Sequence, residues 1–215
     1  MLISLDHNVI EIIILSLQVS LFAIFISCII SMPLAAFLSS NNFLGKEVII
    51  IIINALMSLP PVVVGLFLYL ILSSQGFLSS YKILYTPSAM TIAQIIIITP
   101  ILIALSKESI DSFYRKYNYY FKSIRLSNLS IIKTLIWEAR YPLLTNSLAG
   151  LGRGLSEVGA IIIVGGNIEH LTRTMTTGIV LETSKGEFSI ALQLGIILLI
   201  ISLFINICVH YLRKL

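Results

Sequence analysis

Charge is scarce in this sequence. Of its 215 residues only 11% are Asp, Glu, Lys or Arg, where soluble globular domains carry about a quarter. An ordinary soluble domain is excluded. Cysteine is nearly absent: Cys28 and Cys208 lie inside apolar segments, with no CxxC and no paired histidine spacing. Neither a disulfide framework nor a metal site is expected, and both thiols read as small buried hydrophobes. The chain has no GxxxxGK(S/T), no HExxH, no GxSxG and no cluster of carboxylates in its apolar runs, and His7, His170 and His210 are scattered. No catalytic residue, no cofactor site and no ATP site of its own are therefore expected. The opening "MLISLDHNVIEIIIL" lacks the basic stretch of a cleaved signal peptide and reads as a retained first span.

What the chain has is apolar length. It is 57% hydrophobic, with mean hydropathy +1.00. Runs of about 20 apolar residues match the roughly 30 Å hydrocarbon core of a bilayer. Five such runs occur, at about 12–38, 48–72, 87–105, 142–165 and 188–211. Their continuity favours helices over barrel strands, whose signal is short and alternating. The expectation is an all-α integral membrane protein with five transmembrane helices, a single transmembrane domain over residues 1–215. With an odd number of spans the termini lie on opposite sides. An outside N-terminus puts ten basic residues in the cytoplasm (Lys46, seven within 106–141, and Arg213 and Lys214 among them). Only Lys82, Arg173 and Lys185 then fall outside, so N-out, C-in is preferred. The same surplus accounts for most of the +4 net charge without any polyanionic partner. Aromatics and bases interleave over residues 106–141, a pattern compatible with stacking on single-stranded nucleic acid but better suited to a membrane interface. No nucleic-acid partner is expected.

One span breaks the rule of low charge. Residues 149–167, "AGLGRGLSEVGAIIIVGGN", place Arg153 and Glu157 four apart, among Gly150, Gly152, Gly154 and Gly159. A charge at mid-bilayer costs roughly 2.5–3.5 kcal/mol even on lenient scales, so such residues face a bundle interior or water. The i,i+4 spacing puts both on one helix face, where they neutralise each other. Gly150 and Gly154 form GxxxG, and Gly152, Ser156 and Ala160 continue a second small stripe suited to close helix approach. Two readings stay open and are compatible: glue at a helix interface, or a helix lining the passage of a polar solute. Pro60–Pro61 and Pro100 are expected to kink or break spans two and three. Ser127, Asn128 and Ser130 predict a turn or cap between two short helices of the basic segment. The outer segment 166–187 is polar and threonine-rich, with Asn167, Thr172, Arg173, Thr174, Thr176 and Thr177 offering donors to an oxyanion.

Three stretches carry a family resemblance. "NALMSLPPVVVGLFLYLIL", "IWEARYPLL" and "GLGRGLSEVGAIIIVGGNI", the last followed by "TRTMTTGIVLETSKGEF", resemble permease subunits of ABC importers for oxyanions, the tungstate-uptake group with its molybdate and sulfate relatives. The resemblance runs from about residue 54 to 190 and is strongest over 138–189. It implies the type I importer architecture in the plasma (inner) membrane, with two permease copies around a central path. It also implies an ABC ATPase subunit in the cytoplasm and an extracytoplasmic substrate-binding protein. Family permeases carry an "EAA…G" loop whose short coupling helix inserts into the ATPase. Here Phe121, Lys122 and Ser123 stand at the acidic-small-small start and Ser127, followed by Asn128, stands for the glycine. The resemblance thus implies ATPase coupling at Phe121, Lys122, Ser123, Ser127 and Asn128, while the reading of the residues themselves places translocation path or helix interface at Gly150, Arg153, Gly154, Glu157 and Gly159 and outer gate or anion contact at Asn167, Thr172, Arg173 and Thr174. Tungstate leads as the substrate. Molybdate, sulfate or another anion is the alternative, as is a membrane scaffold that transports nothing.

Overall fold

The computed structural model describes residues 7–74 and 76–212. Every regular element among them is helical. Two long helices form the spine: α1 (His7–Ser40) and α4 (Pro87–Ser123). At 1.5 Å per residue they are about 50 and 55 Å long, more than a bilayer requires. They meet along a stripe of small and hydroxyl residues. Ser16, Ser20, Ala23, Ser27, Ser31 and Ala35 recur every three or four positions on α1, and all are buried. Ser27 and Thr99 hydroxyls lie 3.1 Å apart across the contact. Small residues let helix backbones approach where lipid supplies no hydrophobic drive between helices. The outward surface of the helices carries large exposed apolar groups, such as Phe25 of α1, Phe67 and Leu199, each more than 60% exposed. A soluble protein inverts that pattern; here lipid is the covering solvent.

Two further spans are each built from two helices. α2 (Lys46–Met57) and α3 (Pro61–Leu72) meet at a 97° bend, and α6 (Arg140–Leu155) and α7 (Gly159–Gly165) at 58°. With α1, α4 and α9 (Phe188–Leu212), the count reaches five when each bent pair crosses once. The first bend follows from Pro60–Pro61. Pro61 restricts Pro60 to extended geometry, and Pro61 starts α3 at a position where its missing N–H is harmless. Pro100 does not do the same, because α4 continues through it, and the proline is buried among its neighbours. Helix α2 packs in the half nearer the basic end, where Ile53 joins Leu38 and Ile103. Helix α3 packs in the other half, its Val64 and Leu68 clustered with Met90, Ala93, Ala160 and Ile161.

The basic end is a small folded unit. Helix α4 runs unbroken to Ser123, so the expected pair of short helices is one projecting helix followed by α5 (Asn128–Glu138). Ser127 caps α5 by accepting from the Ser130 backbone N–H at 3.3 Å. Phe121, Leu135, Ala139 and Leu143 bury against Ala35, Ala36 and Ile110, which fixes α5 across the ends of α1 and α4. The polar, threonine-rich segment 166–187 holds helix α8 (Met175–Lys185). Arg213 and Lys214, counted toward the basic end, lie outside the described residues.

The contact between the two broken spans is tight. A Cβ added at Gly65 of α3 would sit 2.8 Å from Cα and 3.1 Å from the carbonyl oxygen of Ala160 in α7. Backbone cannot yield as a side-chain tip does. Gly65→Ala therefore pushes α3 from α7 and costs about 1–3 kcal/mol, as overpacking does. Gly152→Ala, whose new methyl meets nothing within 4 Å, leaves stability unchanged or slightly raised. Thermal unfolding of the two purified variants distinguishes them, and a Gly65→Ala protein as stable as the parent would refute the close-packed account.

Candidate functional site

The break between α6 and α7 exposes backbone groups where a helix would have satisfied them. Several of these groups find partners. The Gly154 carbonyl, near the end of α6, accepts from Gln94 Nε2 of α4 at 2.9 Å. The Glu157 carbonyl accepts from the Thr176 hydroxyl of α8 at 2.8 Å. The Ala160 N–H, in the first turn of α7, donates to Glu157 Oε1 at 3.3 Å. The other carboxylate oxygen of Glu157 lies 3.0 Å from an Arg153 guanidinium nitrogen. One side chain thus caps the helix after the break and pairs with a cation on the helix before it.

The pair is asymmetric. Glu157 is 4% exposed and Arg153 is 40% exposed. Arg153 opens onto the free face of α6, beside Gly152, which has no neighbour within 4 Å of its would-be Cβ, and exposed Ser156. The other glycines are closed in. Gly150 abuts Ile24 and Leu102, Gly154 abuts Ile98, and Gly159 abuts Val62. The GxxxG pair therefore packs against α1 and α4 of the same chain. The second small stripe does not stay together, because the 58° bend leaves Gly152 and Ser156 open and turns Ala160 into the contact with Gly65. Since Gly159 touches Val62, the two breaks are adjacent: the first turns of α3 and α7 lie side by side.

Two contributors were not among the residues expected at the site. Gln94 is 1% exposed, with Nε2 shared between Ser20 Oγ and the Gly154 carbonyl, and its Oε1 is buried without a partner. It was legible only as the one amide in an apolar run. The start of α8 is a capping box that its run of threonines did not reveal. Thr174 and Thr177 exchange side-chain and backbone hydrogen bonds, and the Met175 N–H donates to Ser16 Oγ of α1 at 2.8 Å. These contacts carry the α8 start beside the break.

The residues expected at the outer gate sit next to this start. Thr172 is fully buried, accepting from the Ile168 N–H and donating to the Gly165 carbonyl. Thr174 is the α8 cap, and Asn167 Nδ2 donates to the Thr177 carbonyl at 3.4 Å. Arg173 lies 3.0 Å from Glu169, with its Nε buried and unpartnered. Asn8, Glu11, Gln18, Glu169, His170 and Arg173 line a cavity of about 190 Å³ at this end. There His170 Nδ1 lies 2.7 Å from Glu11 of α1. The hydrogen bond to Glu11 holds the His170 pKa above its ordinary value, against desolvation and the charge of Arg173 and aided by the charges of Glu11 and Glu169. At the opposite end Phe121 is buried and Ser127 caps α5, while Lys122, Ser123 and Asn128 are exposed.

Comparison with known proteins bears on this arrangement. Residues 28–215 match the family described as binding-protein-dependent transport system inner membrane component. The chain is 39% identical over 173 residues to the tungstate uptake system permease protein TupB of Campylobacter jejuni, covering 80% of this chain and 72% of that one. It is 36% identical over 214 residues to TupB of Peptoclostridium acidaminophilum, covering 100% and 94%. A probable anion ABC transporter permease protein of Haloferax volcanii is 36% identical over 196 residues, covering 89% and 84%.

Two outcomes follow from the geometry. Glu157→Gln keeps an oxygen for the Ala160 N–H and loses only the ionic contact; Glu157→Ala loses both. Loss of a cap costs about 0.5–2 kcal/mol, so the alanine variant is the less stable by that order in denaturant unfolding. Equal stability of the two would remove the capping role. For His170 the pKa is raised on folding, so the Glu11 tie is complete below about pH 6.5 and is lost as pH climbs through the raised value. Amide exchange of residues 166–173, corrected for its intrinsic pH dependence, accelerates across that window, and His170→Gln abolishes the step. A flat profile in the parent would refute the tie.

Proposed function

Because the chain belongs to the family of binding-protein-dependent transport system inner membrane components, we propose that it is the membrane-spanning permease subunit of an ATP-driven importer for an oxyanion, tungstate first. The observation that carries this reading is 36% identity over 214 residues, 94% of its length, with a tungstate uptake permease. A multi-pass helical chain with polar groups at a mid-span break supports it. In this reading the basic end faces the cytoplasm, where hydrolysis occurs on a separate ATPase subunit, and a binding protein delivers the anion to the end that carries His170. Two copies face each other across the open side of α6. Arg153 then supplies the positive charge in the path, and Glu157 keeps that charge from making a trap: a lone buried guanidinium would hold a dianion too tightly to release it. Asn167, Thr172, Arg173 and Thr174 shape the outer gate, with Arg173 exchanging Glu169 for the passing anion.

Coupling is assigned to α5. Phe121 and Ser127 fix the helix, and its outward side presents Asn128 with Leu129, which is 72% exposed. Tungstate and molybdate are nearly equal in size and charge, so discrimination between them belongs to the binding protein.

Deleting the gene for this chain removes uptake of radiolabelled tungstate, and re-expression restores it, with molybdate competing. Unchanged tungstate uptake on deletion would overturn the assignment. Leu129→Asp, placed on a surface with no core contact, lowers co-purification of the ATPase at least about tenfold, the cost of a buried charge in an apolar interface, while membrane insertion is normal. Undiminished co-purification would move the docking site elsewhere.

A further inference from the structure

A second cavity, about 550 Å³, lies at the basic end between α4, the junction of α5 with α6, and the last turn of α9. Its walls include Ser109, Glu138, Arg140, Thr145, Asn146 and Leu212. None of these residues serves the helix break or the surface assigned to coupling. The Arg140 guanidinium is held rigidly, 5.0 Å from the Trp137 ring centre and 4.7 Å from that of Tyr141. Its Nη1 donates to the Trp137 carbonyl at 2.8 Å. A guanidinium has five N–H donors, so most remain for a ligand. Glu138 has no ion-pair partner among the described residues, and no side-chain hydrogen bond is made there by Thr145, which is 6% exposed. Asn146 donates to Ser109 Oγ at 3.0 Å, forming a polar floor.

The cavity thus offers one fixed cation and one unpaired carboxylate, with hydroxyl and amide groups between and an apolar wall at Phe113, Pro142 and Leu212. A bare dianion would meet Arg140 but be repelled by Glu138. A ligand that carries a phosphate and an ammonium a few bonds apart answers both. Position narrows the choice further. Ser109 lies one turn beyond the apolar run of α4, Pro142 opens that of α6, and Leu212 closes that of α9. Three helices leave their apolar segments at this level, which is where lipid headgroups sit. From Leu212 the exposed apolar side of α9, with Ile207, Phe204 and Leu203, leads back toward mid-span.

We propose that this cavity is a phosphoethanolamine site, which takes the headgroup phosphate on Arg140 and its ammonium on Glu138, with phosphatidylethanolamine the source and its acyl chains along α9. The inference rests on the chain spanning a membrane and is independent of which anion it moves. A lipid bound there ties the α5–α6 junction to α4 and α9, so it braces the element through which α5 would pass force to α6.

The test is native mass spectrometry of the full chain, purified from nanodiscs of equal phosphatidylethanolamine and phosphatidylglycerol. The parent protein retains phosphatidylethanolamine about tenfold or more over phosphatidylglycerol, as expected for charge-assisted contacts at both ends of the headgroup. Arg140→Gln lowers retention of phosphatidylethanolamine about tenfold, and Glu138→Gln removes the preference over phosphatidylglycerol. Lys133→Gln, an exposed charge on α5 outside the cavity, changes neither. Should Arg140→Gln fail to fold, Arg140→Lys and Glu138→Gln decide the matter: the lysine variant retains less lipid than the parent, because an ammonium does not reproduce the forked donors. Free phosphoethanolamine that competes at equal concentration with the lipid supports the headgroup chemistry and assigns it to a soluble ligand. Equal retention of the two lipids by the parent, or equal losses in Lys133→Gln and Arg140→Gln, overturns the proposal.

Discussion

The structure depends on keeping a carboxylate charged and satisfied in the middle of an apolar bundle. Glu157 is almost wholly buried, yet it carries an ion pair with Arg153 and a hydrogen bond from the Ala160 N–H. Burial of an unpaired charge costs far more than the net stability of most domains allows. The chain meets this cost by placing the carboxylate where two positive features converge, a guanidinium at the end of α6 and the amino end of α7. The same residue is what permits the helix to break, since a break in hydrocarbon without internal partners for its backbone is not viable.

Around that point the other elements take their places. Gln94 reaches from α4 to the Gly154 carbonyl and Ser20, so the α1–α4 spine and α6 share one hydrogen-bonding centre. Thr176 and Met175 fasten α8 to the break and to Ser16. Gly159 and Gly65 allow α3 and α7 to touch, which puts both bends at one level. A bend is a place where a rigid helix can change angle without losing its packed halves, and here two bends lie side by side.

How much was legible differs from residue to residue. The apolar runs located α9, most of α1 and the start of α4, because length and hydropathy alone decide what can cross a bilayer, whereas the part of α4 that projects past residue 105 to Ser123 carries no such signal. Arg153 and Glu157 stood out for the same reason reversed: their price in lipid requires protein around them. Ser127 was read as a turn or cap residue from its chemistry, and it caps α5. The prolines were read alike and behave differently. Pro60 and Pro61 sit in tandem, restricting both sides of the break, whereas Pro100 is a single residue whose lost hydrogen bond is tolerated inside packed helices. Helix α8 was hidden because its threonines are equally at home in a polar loop; only their reciprocal hydrogen bonds distinguish a capping box from a run of turn residues.

By itself the sequence determined the solvent, the helical class and the presence of one privileged charged turn, because hydrophobic length and the cost of desolvating charge are local quantities. Tertiary structure decided which partners neutralise that turn. Whether Gly150 and Gly154 face a second copy or Ile24, Leu102 and Ile98 of the same chain, and whether Gln94 meets Gly154 across sixty positions of sequence, turns on long-range packing. Small residues permit close approach to any neighbour, and only the fold selects the neighbour.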